Sequence, residues 1–198
     1  MKEKSAIREE LISSSRKIIF LSKQAIMAMH RSEPAEAKVK LAEAGEMLRK
    51  IEESSSSHQD LITGSTRTAY QEYAEAQIYL KVVEEGEFPT PKAINVPTPQ
   101  YLLGLADAIG EFRRRALDSL RKRRLRQAEK CLQIMDDIYV ELVSLEEAYN
   151  VVHELRRKCD IARRLIELTM GEITTETRRS SLEKSIKLLE KRINVEGD

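Results

Sequence analysis

Four of the five prolines in this 198-residue chain fall between Phe88 and Pro99, in the stretch FPTPKAINVPTP; the fifth is Pro34. Proline lacks an N–H and pushes its predecessor toward extended geometry, so residues from about 87 to 98 form a loop and the chain outside it is free to be helical. Helical periodicity takes up that freedom. Ile7, Leu11, Ile18, Leu21, Ala25 and Met29 recur at three-, four- and seven-residue steps, with Lys2, Lys4, Arg8, Arg16, Lys17 and Lys23 between them. They predict a first helix from about Lys2 to His30.

Ser32 as N-cap and Pro34 in the first turn predict a second helix to about Glu53, turning Ala37, Leu41, Ala44 and Leu48 inward. The serines from Ser54 to Ser57 read as a break. A third helix, from about Leu61 to Glu85, begins between His58 and Ser65 and stops at Gly86. Thr98 as cap and Pro99 open a fourth helix to about Lys122, and a fifth runs from about Leu125 to Leu145. Two more fill the tail, parted near Gly171 and Thr174-Thr175. With no Trp, 5% aromatic residues and seven Gly, the composition argues against a sandwich or barrel. The expected fold is all-α: a single-domain bundle of about seven helices spanning residues 1–198.

The formal net charge of +1 offers no overall field to nucleic acid or membrane, so any electrostatic function is local. Cys131 and Cys159 are not in a CxxC pair, which argues against a disulfide framework and for a reducing, cytoplasmic setting. No apolar run is long enough to span a bilayer, and Met1-Lys2-Glu3-Lys4 does not open a signal peptide, so no membrane role is expected.

Two segments carry the chemistry. In Tyr70-Gln71-Glu72-Tyr73-Ala74-Glu75-Ala76, the two glutamates stand three apart and project from one side of a helix. In the segment from Tyr101 to Arg114, Asp107 and Glu111 stand four apart, flanked by Gly104 and Gly110, which remove bulk beside the acids. The face bearing Asp107, Glu111, Arg114 and Asp118 lies opposite the stripe of Leu102, Leu105, Ile109, Phe112, Ala116 and Leu120. Spacing alone admits a plain solvated face. It also admits a cluster of hard oxygen donors for Mg²⁺ or Mn²⁺, which could activate water against a phosphodiester. A ferritin-like di-iron site would need Glu-x-x-His pairs, and His30, His58 and His153 supply none. A helical nucleotide pyrophosphatase would carry a tighter ExxD than this DxxxE.

These two segments resemble the translin and TRAX family, and specifically the TRAX branch, whose motifs look like QEYxEA and YLLGxADxxGEL with a following Arg. They stand as Gln71 to Ala76 and as Tyr101 to Glu111, followed by Phe112 and Arg114. The resemblance extends more weakly to the first helix and to the tail from about Asp136 to Gly171. It implies a closed, octamer-like oligomer and a Mg²⁺-dependent endoribonuclease acting on single-stranded RNA, or single-stranded DNA, in its interior; proteins of the TRAX branch work beside a translin partner, whereas a chain this short is expected to assemble with itself. Its catalytic, metal-holding acids fall on Glu72, Glu75 and Asp107, with Glu111 a further acid that binds metal or orients water. The translin branch lacks the QEYxEA acids and binds nucleic acid without being the catalytic subunit, so having both motifs argues for an active chain; the alternative is a non-catalytic oligomeric binder of single-stranded nucleic acid whose acids only fix helix packing.

From Arg113 to Lys130, nine basic residues face two acidic ones, a local excess of +7. Arg113, Arg114 and Arg115 are the expected RNA-binding residues, Arg114 matching the basic residue after the second motif. A solvated helix–loop junction, with Arg121 to Arg124 capping a helix end, explains the same run. Tyr79 is the one tyrosine placed to stack on a base. The three histidines read as surface or capping residues, and the two cysteines as small core residues.

Overall fold

The computed structural model describes residues 2–55, 64–145 and 147–195, with side chains over 8–53, 64–145 and 147–192. Among them are seven helices and no strand: α1 (Lys2–His30), α2 (Pro34–Ser55), α3 (Gly64–Glu84), α4 (Thr98–Arg121), α5 (Leu125–Ser144), α6 (Ala148–Val151) and α7 (Leu155–Val195). The side chains of Lys2, Lys4 and Ile7 lie outside the described residues, as do Ser56, Ser57, His58 and Leu61. Ser54 and Ser55, where a break is expected, still belong to α2.

Helix α1 packs on α2 and α3, while α4 packs on α3, α5 and α7. Two helical groups therefore meet across the α3–α4 contact, over a core that includes Ile18, Leu41, Ile78, Tyr79, Ile109, Phe112, Met135 and Leu155. Each of these side chains is fully buried, which contributes roughly 1.5–3 kcal/mol apiece before chain entropy is charged against it. None of the described helices is long and apolar enough to cross a membrane.

Two expectations about helix ends, Ser32 and Thr98 as N-caps, are corrected. Ser32 is not an N-cap; it ends α1 with φ 65°, its N–H bonding Met29 O while Glu33 N–H bonds Ala28 O. That pair of bonds is a Schellman closure, and it satisfies carbonyls that α1 would otherwise leave open. Arg123, with φ 57°, closes α4 in the same way, its N–H bonding Leu120 O while Arg124 N–H bonds Ser119 O. Thr98 is the first helical residue of α4, and Pro97 stands at its N-cap without a side-chain bond.

The tail divides earlier than expected. The chain leaves helix at Leu145, makes the single turn of α6, and then runs unbroken through Gly171 and Thr174-Thr175 as α7. Gly171 has open space where a Cβ would be, and Thr174 and Thr175 bond back to Met170 O and Gly171 O. One helical glycine costs only about 1 kcal/mol, and the flanking helix formers outweigh it. The proline loop is ordered by Tyr101, whose buried hydroxyl donates to Pro89 O at 2.7 Å, and by the burial of Ile94 and Val96.

Candidate functional site

The site begins with an atom that is missing. A Cβ on Gly104 would stand 2.7 Å from Gln71 O, 2.9 Å from Glu75 N and 2.9 Å from the Ala74 Cβ. Only glycine lets α4 rest on the backbone of α3, and that contact brings the helix carrying Glu72 and Glu75 against the one carrying Asp107 and Glu111. Gly110 does no such work, since nothing lies within 4 Å of its would-be Cβ.

On the face of α4 that could have been plainly solvated, Arg114 is exposed, while Asp107 and Glu111 are part-buried against neighbouring helices. Asp107 accepts 2.6 Å from Gln71 Nε2 on α3 through one oxygen, and pairs with Lys158 Nζ of α7 through the other. Glu72 meets Lys23 Nζ of α1 at 3.5 Å. Among the described residues, no cation is paired with Glu75 in this way. Burial first, then the charges of Asp107, Glu72 and Glu111, hold its carboxyl well above the usual carboxylate range, against a smaller opposing pull from Lys158. Burial also raises Glu72, with Lys23 working against it.

Glu111 is reached from α1. His30 Nε2 lies 2.5 Å from Glu111 Oε2, and His30 Nδ1 lies 3.3 Å from the Tyr79 hydroxyl, which Arg115 also hydrogen-bonds. These partners assign the tautomer: Tyr79 donates to Nδ1, and Nε2–H donates to the carboxylate. The rings are in contact as well, His30 tilted against Tyr79 at 5.2 Å and Tyr79 edge-on to Phe112 at 5.3 Å. His30 is therefore neither a surface nor a capping residue. Tyr79 is fully buried and cannot stack on a base; burial pushes its hydroxyl up to about 12.

Four carboxylates on two touching helices are a donor set suited to a hard divalent cation. As the side chains stand, however, no group of three or more His, Cys, Asp or Glu residues among those described is placed to hold a metal ion. Three of the four acids instead rest on Lys23, Lys158 and His30. An open groove of about 690 Å³ adjoins the patch at Gln71, lined also by Arg67, Leu103, His153 and Glu154.

The profile of the translin family matches residues 6–167, which takes in nearly all of α1, α2 to α6, the first part of α7 and both acidic segments. The chain belongs to the translin family. An uncharacterised protein of Methanocaldococcus jannaschii is 32% identical over 186 residues, covering 93% of this chain and 82% of its own length. Among solved structures, AfC3PO in a complex with duplex RNA is 30% identical with a TM-score of 0.80, over 90% of this chain and 93% of that one. Apo-NeC3PO, at 24% identity and a TM-score of 0.81 over 88% and 92% of the two chains, has the same fold.

In this translin-family chain the three arginines expected to bind RNA part company. Arg113 clamps α4 to α7, bonding Thr169 Oγ1 at 2.6 Å and both oxygens of Glu172 at 3.0 and 3.2 Å. Arg114 is exposed, and Arg115 turns inward to Tyr79. Farther along, Arg121 and Lys122 sit on Asp118 and Arg123 sits on Glu183, so much of the local positive excess is balanced in place. Cys131 and Cys159 are buried free thiols, as expected of core residues.

Sequence reasoning missed Lys23, His30, Gln71 and Lys158. Gln71 opens the QEYAEA segment and could have been found there. The other three come from helices distant in sequence and carry no local spacing signal.

Proposed function

We propose that this chain is a TRAX-like, Mg²⁺-dependent endoribonuclease, with Mn²⁺ a competent substitute. Glu72, Glu75, Asp107 and Glu111 hold the ion, and Arg114 contacts the RNA. The observation that carries the reading is Glu75: a part-buried carboxyl in the field of Asp107, Glu72 and Glu111, with no cation paired to it among the described residues, is costly in a merely structural patch and would be relieved by a bound cation. The ion, when bound, lowers the pKa of a water and polarises the phosphoryl oxygens. His30 fixes the Glu111 carboxylate, Gln71 fixes Asp107, and the walls of α3 and α4 exclude bulk water from that side.

The chain works as a homo-oligomer in a reducing, cytoplasmic setting. Self-assembly is supported by α7, where Ile161, Leu168, Leu182 and Leu189 recur at multiples of seven residues, and all are exposed. Past Glu183 every described side chain of this helix is exposed, Ile186, Leu188 and Leu189 included. A helix end with so much apolar surface gains its stability from a partner, and a second copy of the chain fits that role.

The test is cleavage of an end-labelled single-stranded RNA, with Mg²⁺, with EDTA, and with Asp107→Ala. A duplex RNA runs in parallel because the AfC3PO structure contains one. Cleavage that needs both the metal and Asp107 supports the proposal. RNA binding without cleavage, in wild type and variant alike, would make the chain a binding module whose acids only pack helices.

A further inference from the structure

The outward side of α1 carries a pattern that core packing does not explain. Between Arg16 and His30 the helix turns Ile18, Leu21, Ala25 and Met29 into the core, and its exposed side chains are Arg16, Lys17, Phe20, Lys23 and Met27. Lys17 leans to Glu43 of α2. At about 100° per residue the other four share one stripe with His30, within about 80° of the helix circumference. Guanidinium, ring, ammonium and thioether follow one another along it, and the stripe meets the acids twice, with Lys23 on Glu72 and His30 on Glu111. Phe20, 59% exposed, is the most open aromatic ring of the chain; the tyrosines are buried or half-buried, and Phe112 lies in the core. A lone exposed phenylalanine is ordinary. One set between two cations, with an exposed Met27 beside it and carboxylates at its rim, has the make-up of a single-strand platform, where basic groups track phosphates and flat rings take bases.

We infer that this stripe is the track by which single-stranded RNA reaches the acids: Arg16 and Lys23 hold phosphates, Phe20 stacks on an unpaired base, and Met27 packs against a neighbouring one. The inference rests on the reading of the chain as an RNA-cleaving protein and adds to it the surface that selects single strands. Every nucleic acid offers phosphates, so the cations alone select nothing, whereas a free base face is present only where the strand is unpaired. Lys23, 60% exposed and 3.5 Å from Glu72, keeps donors for a phosphate while it leans to the carboxylate. A second copy of the chain seated on Phe20 would have to desolvate the charges on either side of the ring; a phosphodiester strand pairs them instead.

The experiment measures fluorescence anisotropy of a labelled single-stranded RNA and of a duplex of the same sequence, with EDTA so that nothing is cleaved. The full chain is compared as wild type, Phe20→Ala, Phe20→Leu and Phe20→Trp, with light scattering of each. Phe20→Ala and Phe20→Leu should bind the single strand about 5- to 10-fold more weakly, the low end for losing a stacked base, and Phe20→Trp should keep the wild-type affinity. Leucine retains apolar bulk but no flat face, so its loss of affinity reports stacking and not general greasiness. Duplex binding and particle size should stay at the wild-type values in all three. Arg16→Ala should weaken both RNAs and lower the single-strand slope of log K against log salt by about 0.7. Unaltered single-strand affinity in Phe20→Ala or Phe20→Leu, equal losses for both RNAs, or a smaller particle, which would make Phe20 a contact between copies, each overturns the inference alone and leaves the cleavage reading to its own test with Asp107→Ala. No binding of either RNA by wild type, with EDTA or with Mg²⁺, overturns both.

Discussion

His30 Nε2 stands 2.5 Å from Glu111 Oε2, joining the last turn of α1 to the middle of α4. A histidine that fixes a carboxylate matters in proportion to how closely that carboxylate must be aimed. Losing such an outer partner costs about 10–100-fold in metal affinity or activity. His30→Ala is therefore expected to lower RNA cleavage by that factor with the helical circular dichroism unchanged. His30→Gln, which can still donate toward Glu111, should recover most of it. Equal rates for wild type and His30→Ala would remove His30 from the site.

Glu75→Gln separates stability from activity. The folded carboxyl titrates above its unfolded value, so the proton favours the folded state: this contribution is complete at acid pH and is lost as pH rises from about 4.5 through the folded pKa. Glutamine keeps the neutral form at every pH. The variant should melt several degrees higher than wild type at pH 7.5, approach it near pH 4, and cleave no RNA. Thermal melts at the two pH values check the sign; a lower melting temperature at pH 7.5 would mean the Glu75 charge is already compensated.

Two glycines on one helix should behave oppositely. Gly104→Ala drives a methyl into Gln71 O and Glu75 N, and is expected to destabilise the chain by about 1–3 kcal/mol. Gly110→Ala meets nothing within 4 Å and removes a weak helix former, so it should be stabilising by about 0.5–1 kcal/mol. Urea denaturation of both variants measures the contrast.

These residues also mark what could be read before the fold was known. Helices α1 to α5 were legible to within a few residues because apolar spacing and proline position act locally, and both acidic segments stood out for the same reason. Gly104 was legible as a close-approach residue. Gly110 beside it looked identical in sequence, and only the presence or absence of a neighbouring helix separates them. Lys158 lies 51 residues from Asp107 in a run of Arg156, Arg157 and Lys158, where no spacing rule tells the inward-facing member from the outward ones. Ser32 was misread because a helix end and the next helix start compete for the same short polar residue.

Arg113 and Arg114 are adjacent and should give different phenotypes. Arg114→Ala should weaken RNA binding and reduce the slope of log K against log salt by about 1, with the melting temperature unchanged. Arg113→Ala breaks the clamp to Thr169 and Glu172 and should lower stability by about 1–3 kcal/mol. Filter binding across a salt series, paired with thermal melts, distinguishes them.

The exposed end of α7 predicts its own outcome. Leu182→Glu combined with Leu189→Glu places charge on the apolar face, and light scattering should show a smaller particle than wild type. Asp107→Ala, on α4 and not among the exposed apolar residues of α7, should leave the particle size unchanged. An unaltered mass in the double variant would put the contact between copies elsewhere on the chain.

The α3–α4 contact gives a rule for reading related chains. A side chain at the position of Gly104 would enter the carbonyl of Gln71, so the identity of that one residue reports how close the two acidic helices stand. A relative that keeps both acid pairs but carries alanine or anything larger between them holds its acids farther apart, whatever else it has retained. Its nuclease chemistry should then be questioned from the sequence, before any coordinates for it exist.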